Sequence, residues 1–160
     1  MQNLILTKVD YCNAILFGAN KCHLSKLQKL INSSVRFIFN LKGHDYRQSI
    51  TPYLKKVHFL PVKYRVDFKI ALHVFKYFQC MTPDYLRDII KPKVSVSSLR
   101  CYDDCFLLEE PFTKLAYKQK GFSFSAPHVW NKLPYDIRCI TNVDQFKTEL
   151  KTFYYEQAFC

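Results

Sequence analysis

Glycine is scarce in this chain, three of 160 residues, and acidic side chains are few, 13 against 24 lysines and arginines. So little glycine leaves no phosphate-cradling Gly-rich loop and no collagen-like repeat. The shortage of carboxylates leaves a formal charge of +11 and an isoelectric point near 9.3. That balance favours a polyanionic partner. No run approaches the roughly 20 apolar residues of a membrane span, and the start, Gln2 to Lys8, carries no basic leader before Lys8 and Asp10 interrupt it. A protein that is not secreted, intracellular in nucleus or cytoplasm, with no membrane partner, is therefore expected. His-Glu-x-x-His and Gly-x-Ser-x-Gly are both missing, which removes the commonest zinc-hydrolase and serine-hydrolase signatures.

What is present is apolar and aromatic. Hydrophobic residues make up 49% of the chain and aromatic ones 16%, enough to bury a core in one domain or one domain with an appendage. Seven cysteines form an odd set, better suited to a reducing compartment than to a closed disulfide framework. Cys101, Cys105, His128 and Cys139 are the best-spaced metal-ligand candidates, but no second close pair accompanies the first. They read more simply as unliganded residues, and no cofactor is expected.

Charge divides unevenly. Residues 1–93 hold sixteen Lys and Arg against five Asp and Glu, residues 94–160 hold eight against eight, and the whole excess falls on the first segment. Helical periodicity suggests how it is displayed. Leu24, Leu27, Ile31, Val35 and Ile38 form one stripe of a helix over 24–39, with Lys26, Lys29, Ser33 and Arg36 opposite. Pro61 opens a second helix running to about Gln79. Its apolar rows leave a narrow strip for Arg65, Lys69, His73 and Lys76. Each basic face reads either as an ordinary solvated surface or as a phosphate-facing stripe.

Shorter helices are expected at 51–57 and 82–90, each opened by a Thr cap and a proline, and at 3–17, stopped by Gly18. Residues 94–112 read as a linker-like segment with at most a short strand or hairpin. In 113–160 an extended run over 121–127 precedes a helix beginning after Ser125 and ended by Pro134, then a last helix over 142–157. The expected fold is mainly α, a basic helical bundle over 1–93 followed by a small neutral helical module. Within the linker, Cys101-Tyr102-Asp103-Asp104 offers paired carboxylates of the kind that hold two metals in polymerases. The aromatic stands one residue too close to the first Asp, and no third carboxylate is in view.

Several segments together resemble the C-terminal region of non-LTR (LINE-type, jockey-like) retrotransposon reverse transcriptases, the part that follows the catalytic palm. They are Val9-Asp10-Tyr11-Cys12-Asn13, Ile50-Thr51-Pro52 through His58-Phe59-Leu60-Pro61-Val62 and Arg65, then Phe124-Ser125-Ala126-Pro127, Trp130-Asn131-Lys132-Leu133-Pro134, Ile137-Arg138, and Phe146-Lys147 to Ala158-Phe159. They follow the family's order along nearly the whole chain. The resemblance implies a fragment of an RNA-directed DNA polymerase without its magnesium-binding palm, fingers or endonuclease, not an enzyme on its own. A thumb-like bundle of this kind is expected to grip an RNA/DNA hybrid or duplex by its backbone. Lys26, Lys29 and Arg36 on one helix, and Arg65, Lys69 and Lys76 on another, are the residues expected to do so. Tyr46-Arg47 is a further candidate for stacking, and Trp130 and Pro127 read as core and turn. The alternative is an inactive structural remnant of a mobile element with no nucleic-acid role.

Overall fold

The computed structural model describes residues 2–41, 48–93 and 106–159. Tyr46-Arg47, Cys101, Cys105, Asp103 and Asp104 lie outside the described residues. The architecture is mainly α: α1 (Gln2–Asp10), a 3-10 turn (Asn13–Leu16), α2 (Lys21–Ile38), α3 (Thr51–Lys56), α4 (Val62–Phe78), α5 (Tyr85–Ile89), a second 3-10 turn (Lys118–Lys120), α6 (Phe122–Trp130), α7 (Tyr135–Arg138) and α8 (Val143–Phe159). None of these helices is long and apolar enough to cross a membrane.

Helix α4 is the axis of the molecule because apolar residues occupy most of its circumference. Val66, Ile70, Ala71, Val74 and Phe75 are buried along it. They join Ile90, Leu108, Ala126, Trp130, Phe146 and Leu150 in one core, so residues from both sides of the 94–112 segment share it. Phe75 and Phe146 stack at 4.1 Å between centroids. A smaller cluster, Val9, Ile31, Val35, Leu54, Phe59 and Val62, joins α1, α2 and α3 to the start of α4. Gln28 Oε1 accepts the Val62 N–H at 2.9 Å, so a side chain of α2 supplies the cap that Pro61 cannot.

Long-range demands move several expected boundaries. The expected helix over 3–17 breaks after Asp10, where Cys12 adopts φ 50°. Asn13 is buried there, and its Nδ2 donates to Asp10 Oδ1 at 3.4 Å and to the Arg65 carbonyl at 3.5 Å. Gly18, at φ +67°, lies so near Lys120 that an added Cβ would come within 2.9 Å of Lys120 Cγ, which together demand glycine. Thr51 is the first residue of α3 rather than its cap, and α5 begins only at Tyr85.

The largest departure is in α6, which begins at Phe122 and carries Pro127 inside it rather than following an extended run. Proline removes only the bond to the Ser123 carbonyl, four residues back. Ser123 is exposed, so water can take that carbonyl, while Ala126, Val129 and Trp130 reach the core. At the edges of the 94–112 segment, Pro92 and Leu108 form an isolated antiparallel bridge. Asn131 reinforces it, accepting from the Leu108 N–H at 3.0 Å and donating to the Leu108 carbonyl at 2.9 Å.

Candidate functional site

A cleft runs along α4 and α8 beneath the α3–α4 connection. Its two adjoining hollows, about 440 and 570 Å³, share His58, Phe68 and Lys151. Arg65 and Lys69 enter from α4, because residues four apart on a helix lie on one face. Lys147 and Lys151 enter from α8 by the same spacing. The cations of the cleft thus come from both halves of the sequence, including the half whose net charge is zero.

Those cations are not equivalent. Arg65 was expected on an exposed strip, yet its side chain is only 16% exposed and its guanidinium is spent on Asp10. Nε donates to Asp10 Oδ1 at 2.8 Å and Nη2 donates to Oδ2. This two-pronged geometry ties α1 to α4 and cancels the local charge. Lys147 pairs with Asp144 at 3.0 Å. Lys69 and Lys151 make no ion pair among the described residues, and their ammonium groups give the cleft its positive character. Thr148 and Thr152 donate their hydroxyls back to α8 carbonyls, and Tyr155 donates to the Lys55 carbonyl. Ammonium groups are therefore the principal donors facing this space.

The remaining expected residues lie elsewhere. Lys26 and Lys29 are exposed on α2 and do not line the cleft. Arg36, on the same helix, is half-buried and has a partner of its own. Lys76 lies further along α4 beside His73, whose pKa falls below the ordinary histidine value, first through burial and then through repulsion from Lys76 and Lys69. The strip therefore carries a histidine biased toward neutrality between two lysines. No group of three or more His, Cys, Asp or Glu that could hold a metal ion occurs among the described residues.

Sequence reasoning missed Lys151 and His58. The i, i+4 spacing of Lys147 and Lys151 was the available signal for α8, but nothing in the sequence said that this face would meet Lys69. It also passed over Asp67, the one acidic residue of α4. Residues 65 and 67 stand roughly 200° apart on a helix, and Asp67 accordingly lines a separate pocket with Lys63, His128, Lys132 and Tyr154. Burial raises the Asp67 carboxyl above the usual carboxylate range, against the opposing pull of Lys63 and Lys132. Burial, with Asp67 nearby, also raises the Tyr154 phenol. His128 is lowered by burial and then Lys132, with Glu110 opposing. Compared with known proteins, the chain matches no family model, no curated protein and no solved structure.

Proposed function

We propose that this chain is a noncatalytic C-terminal fragment of a retrotransposon RNA-directed DNA polymerase, and that it binds the phosphate backbone of an RNA/DNA hybrid or duplex. The observation that carries the binding reading is that Lys69 and Lys151, neither in an ion pair among the described residues, line one cleft from two helices. Lysines that neutralise phosphates release counterions, so such binding is sequence-tolerant and weakens with salt. Lys26 and Lys29, exposed on α2, extend the basic surface.

The retrotransposon origin rests on the ordered segments described above. Two of them meet in the fold, where Asp10 and Asn13 hold Arg65, and a third holds the chain next to it, with Asn131 and Trp130 bonded to the backbone of Leu108 and Phe106. They act as structural ties, so the resemblance bears on architecture and the cleft bears on binding.

Fluorescence anisotropy with a labelled RNA/DNA hybrid tests the binding reading. Two phosphate contacts predict roughly a tenfold loss of affinity between about 50 and 200 mM salt, and a larger loss if Lys26 and Lys29 engage. Lys69→Glu with Lys151→Glu should abolish most of the remaining affinity. A specific observation favours the alternative, an inactive structural remnant: Arg65 is consumed by Asp10 within the fold. In that case affinity would be indifferent to salt and to both reversals.

A further inference from the structure

The pocket on the other flank of α4 has a chemistry that the cleft lacks. It encloses about 300 Å³ between α4, α6 and α8, with Phe17 among its lining residues. Its lining includes the aromatic residues Tyr64, Phe153 and Tyr154, and among its polar groups are a carboxylate, a phenol and two lysines. The Asp67 carboxylate is half-buried and accepts no hydrogen bond among the described residues. The Tyr154 hydroxyl belongs to a side chain only 4% exposed and likewise has no hydrogen-bond partner there. Lys63 and Lys132 are exposed lysines of the same pocket, near enough to act on Asp67 through space without pairing with it. Lys132 Nζ lies 2.7 Å from His128 Nε2, an arrangement in which the ammonium donates and the neutral imidazole keeps its proton on Nδ1.

The half-buried carboxylate and the phenol both line this pocket without protein hydrogen-bond partners among the described residues, which leaves an acceptor and a donor for a ligand. The carboxylate accepts two parallel N–H donors, the phenol donates to an adjacent carbonyl, and aromatic walls suit a flat ring. Two ammonium groups suit a phosphate attached to that ring. Guanine has this edge: neighbouring ring and exocyclic N–H groups, followed by a carbonyl oxygen. We propose that the pocket binds a guanine nucleotide, with Asp67 and Tyr154 reading the base and Lys63 and Lys132 holding the phosphate. The site is independent of the cleft, since α4 stands between them.

The inference is tested by calorimetric titration of the full chain with GMP, AMP, guanosine and inorganic phosphate. GMP is expected to bind at least about tenfold more tightly than AMP, because adenine would leave Asp67 facing a ring nitrogen that also accepts. Phosphate alone should not bind measurably. Asp67→Asn, with folding checked by circular dichroism, should erase the preference for GMP over AMP. Lys132→Ala, at an exposed position, should weaken GMP and leave guanosine as it was. Equal affinity for GMP and AMP, a preference that survives Asp67→Asn, or no GMP binding would overturn the assignment. A labelled hybrid gives an independent readout: saturating GMP should leave it bound, and stoichiometric displacement would put the nucleotide in the cleft and overturn the pocket. Should the hybrid fail to bind at all, the cleft reading falls and the calorimetry still decides this one.

Discussion

Two regions of the molecule handle the same materials, apolar side chains and lysines, in opposite ways. Around the middle of α4, sixteen buried residues among those described, from five stretches of chain, form one core in which Trp130, Phe146 and Ile70 are fully enclosed. Around the start of α4, six buried residues among those described hold α1, α2 and α3, while Leu30 and Phe37 of α2 remain 47% and 66% exposed. The first region is held mainly by area removed from water. The second relies on directed polar ties, above all Asp10–Arg65 and Gln28–Val62. A thin apolar layer stitched by a few polar contacts opens more readily than a thick one.

The sharpest way to break this contrast is Trp130→Ala. Loss of a fully buried indole should cost about 3–5 kcal/mol, lowering the melting temperature by roughly 10 °C and accelerating amide exchange throughout. Val35→Ala, in the smaller cluster, should cost about 2 kcal/mol, with faster exchange confined to α1, α2 and α3. Exchange that rises equally in α6 and α8 would show that the two regions open as one. Arg65→Ala should cost about 1–3 kcal/mol, because Asp10 is left partly buried without its partner. The double variant Asp10→Ala, Arg65→Ala should recover part of that loss, and chemical denaturation measures both.

Acidity gives the smallest effect and acts in two opposite senses. His73 and His128 hold protons less readily in the fold than in the unfolded chain. The unfolded state therefore takes up more protons just below about pH 6.5, and stability declines as pH falls through that window. Asp67 acts with the opposite sign: its carboxyl is raised, so the fold binds the extra proton and gains stability as pH falls through the range just above the usual carboxylate value. His73→Gln should flatten the first slope and Asp67→Asn the second. Melting temperatures between pH 7 and 4 would reveal a single uniform slope if these assignments were wrong.

Helix positions were readable because apolar periodicity is local information. The stripe from Leu24 to Ile38 and the rows on α4 are visible in one window of sequence, and the observed helices follow them. Breaks imposed from afar were not readable. Asn13 turns the chain because of Arg65, and the run expected to be extended over 121–127 is largely helical because Trp130 must reach Phe78 and Phe146. The same holds for the sites. Basic residues on α4 were visible one by one, but whether each is free depends on what folds over it. Asp10 removes Arg65, and Lys151 arrives from a segment whose net charge had suggested no role.

The end of α8 returns to the beginning of the fold. Lys55 Nζ donates to the Phe159 carbonyl at 2.9 Å, Tyr155 donates to the Lys55 carbonyl, and Tyr64 donates to the Gln157 carbonyl. The contacts to Phe159 and Gln157 occupy carbonyls at the end of α8, where a helix leaves them without intrahelical partners, and Lys55 sets a cation at that negative end. The three contacts span 104, 100 and 93 residues of chain. Closure over such separations is slow compared with winding a helix. During synthesis α3 and the first turn of α4 emerge long before α8 exists to clasp them, so the basic face spends that interval without its latch. Folding from the ribosome is therefore completed last at a surface whose own helices, α3 and the start of α4, emerge well before α8.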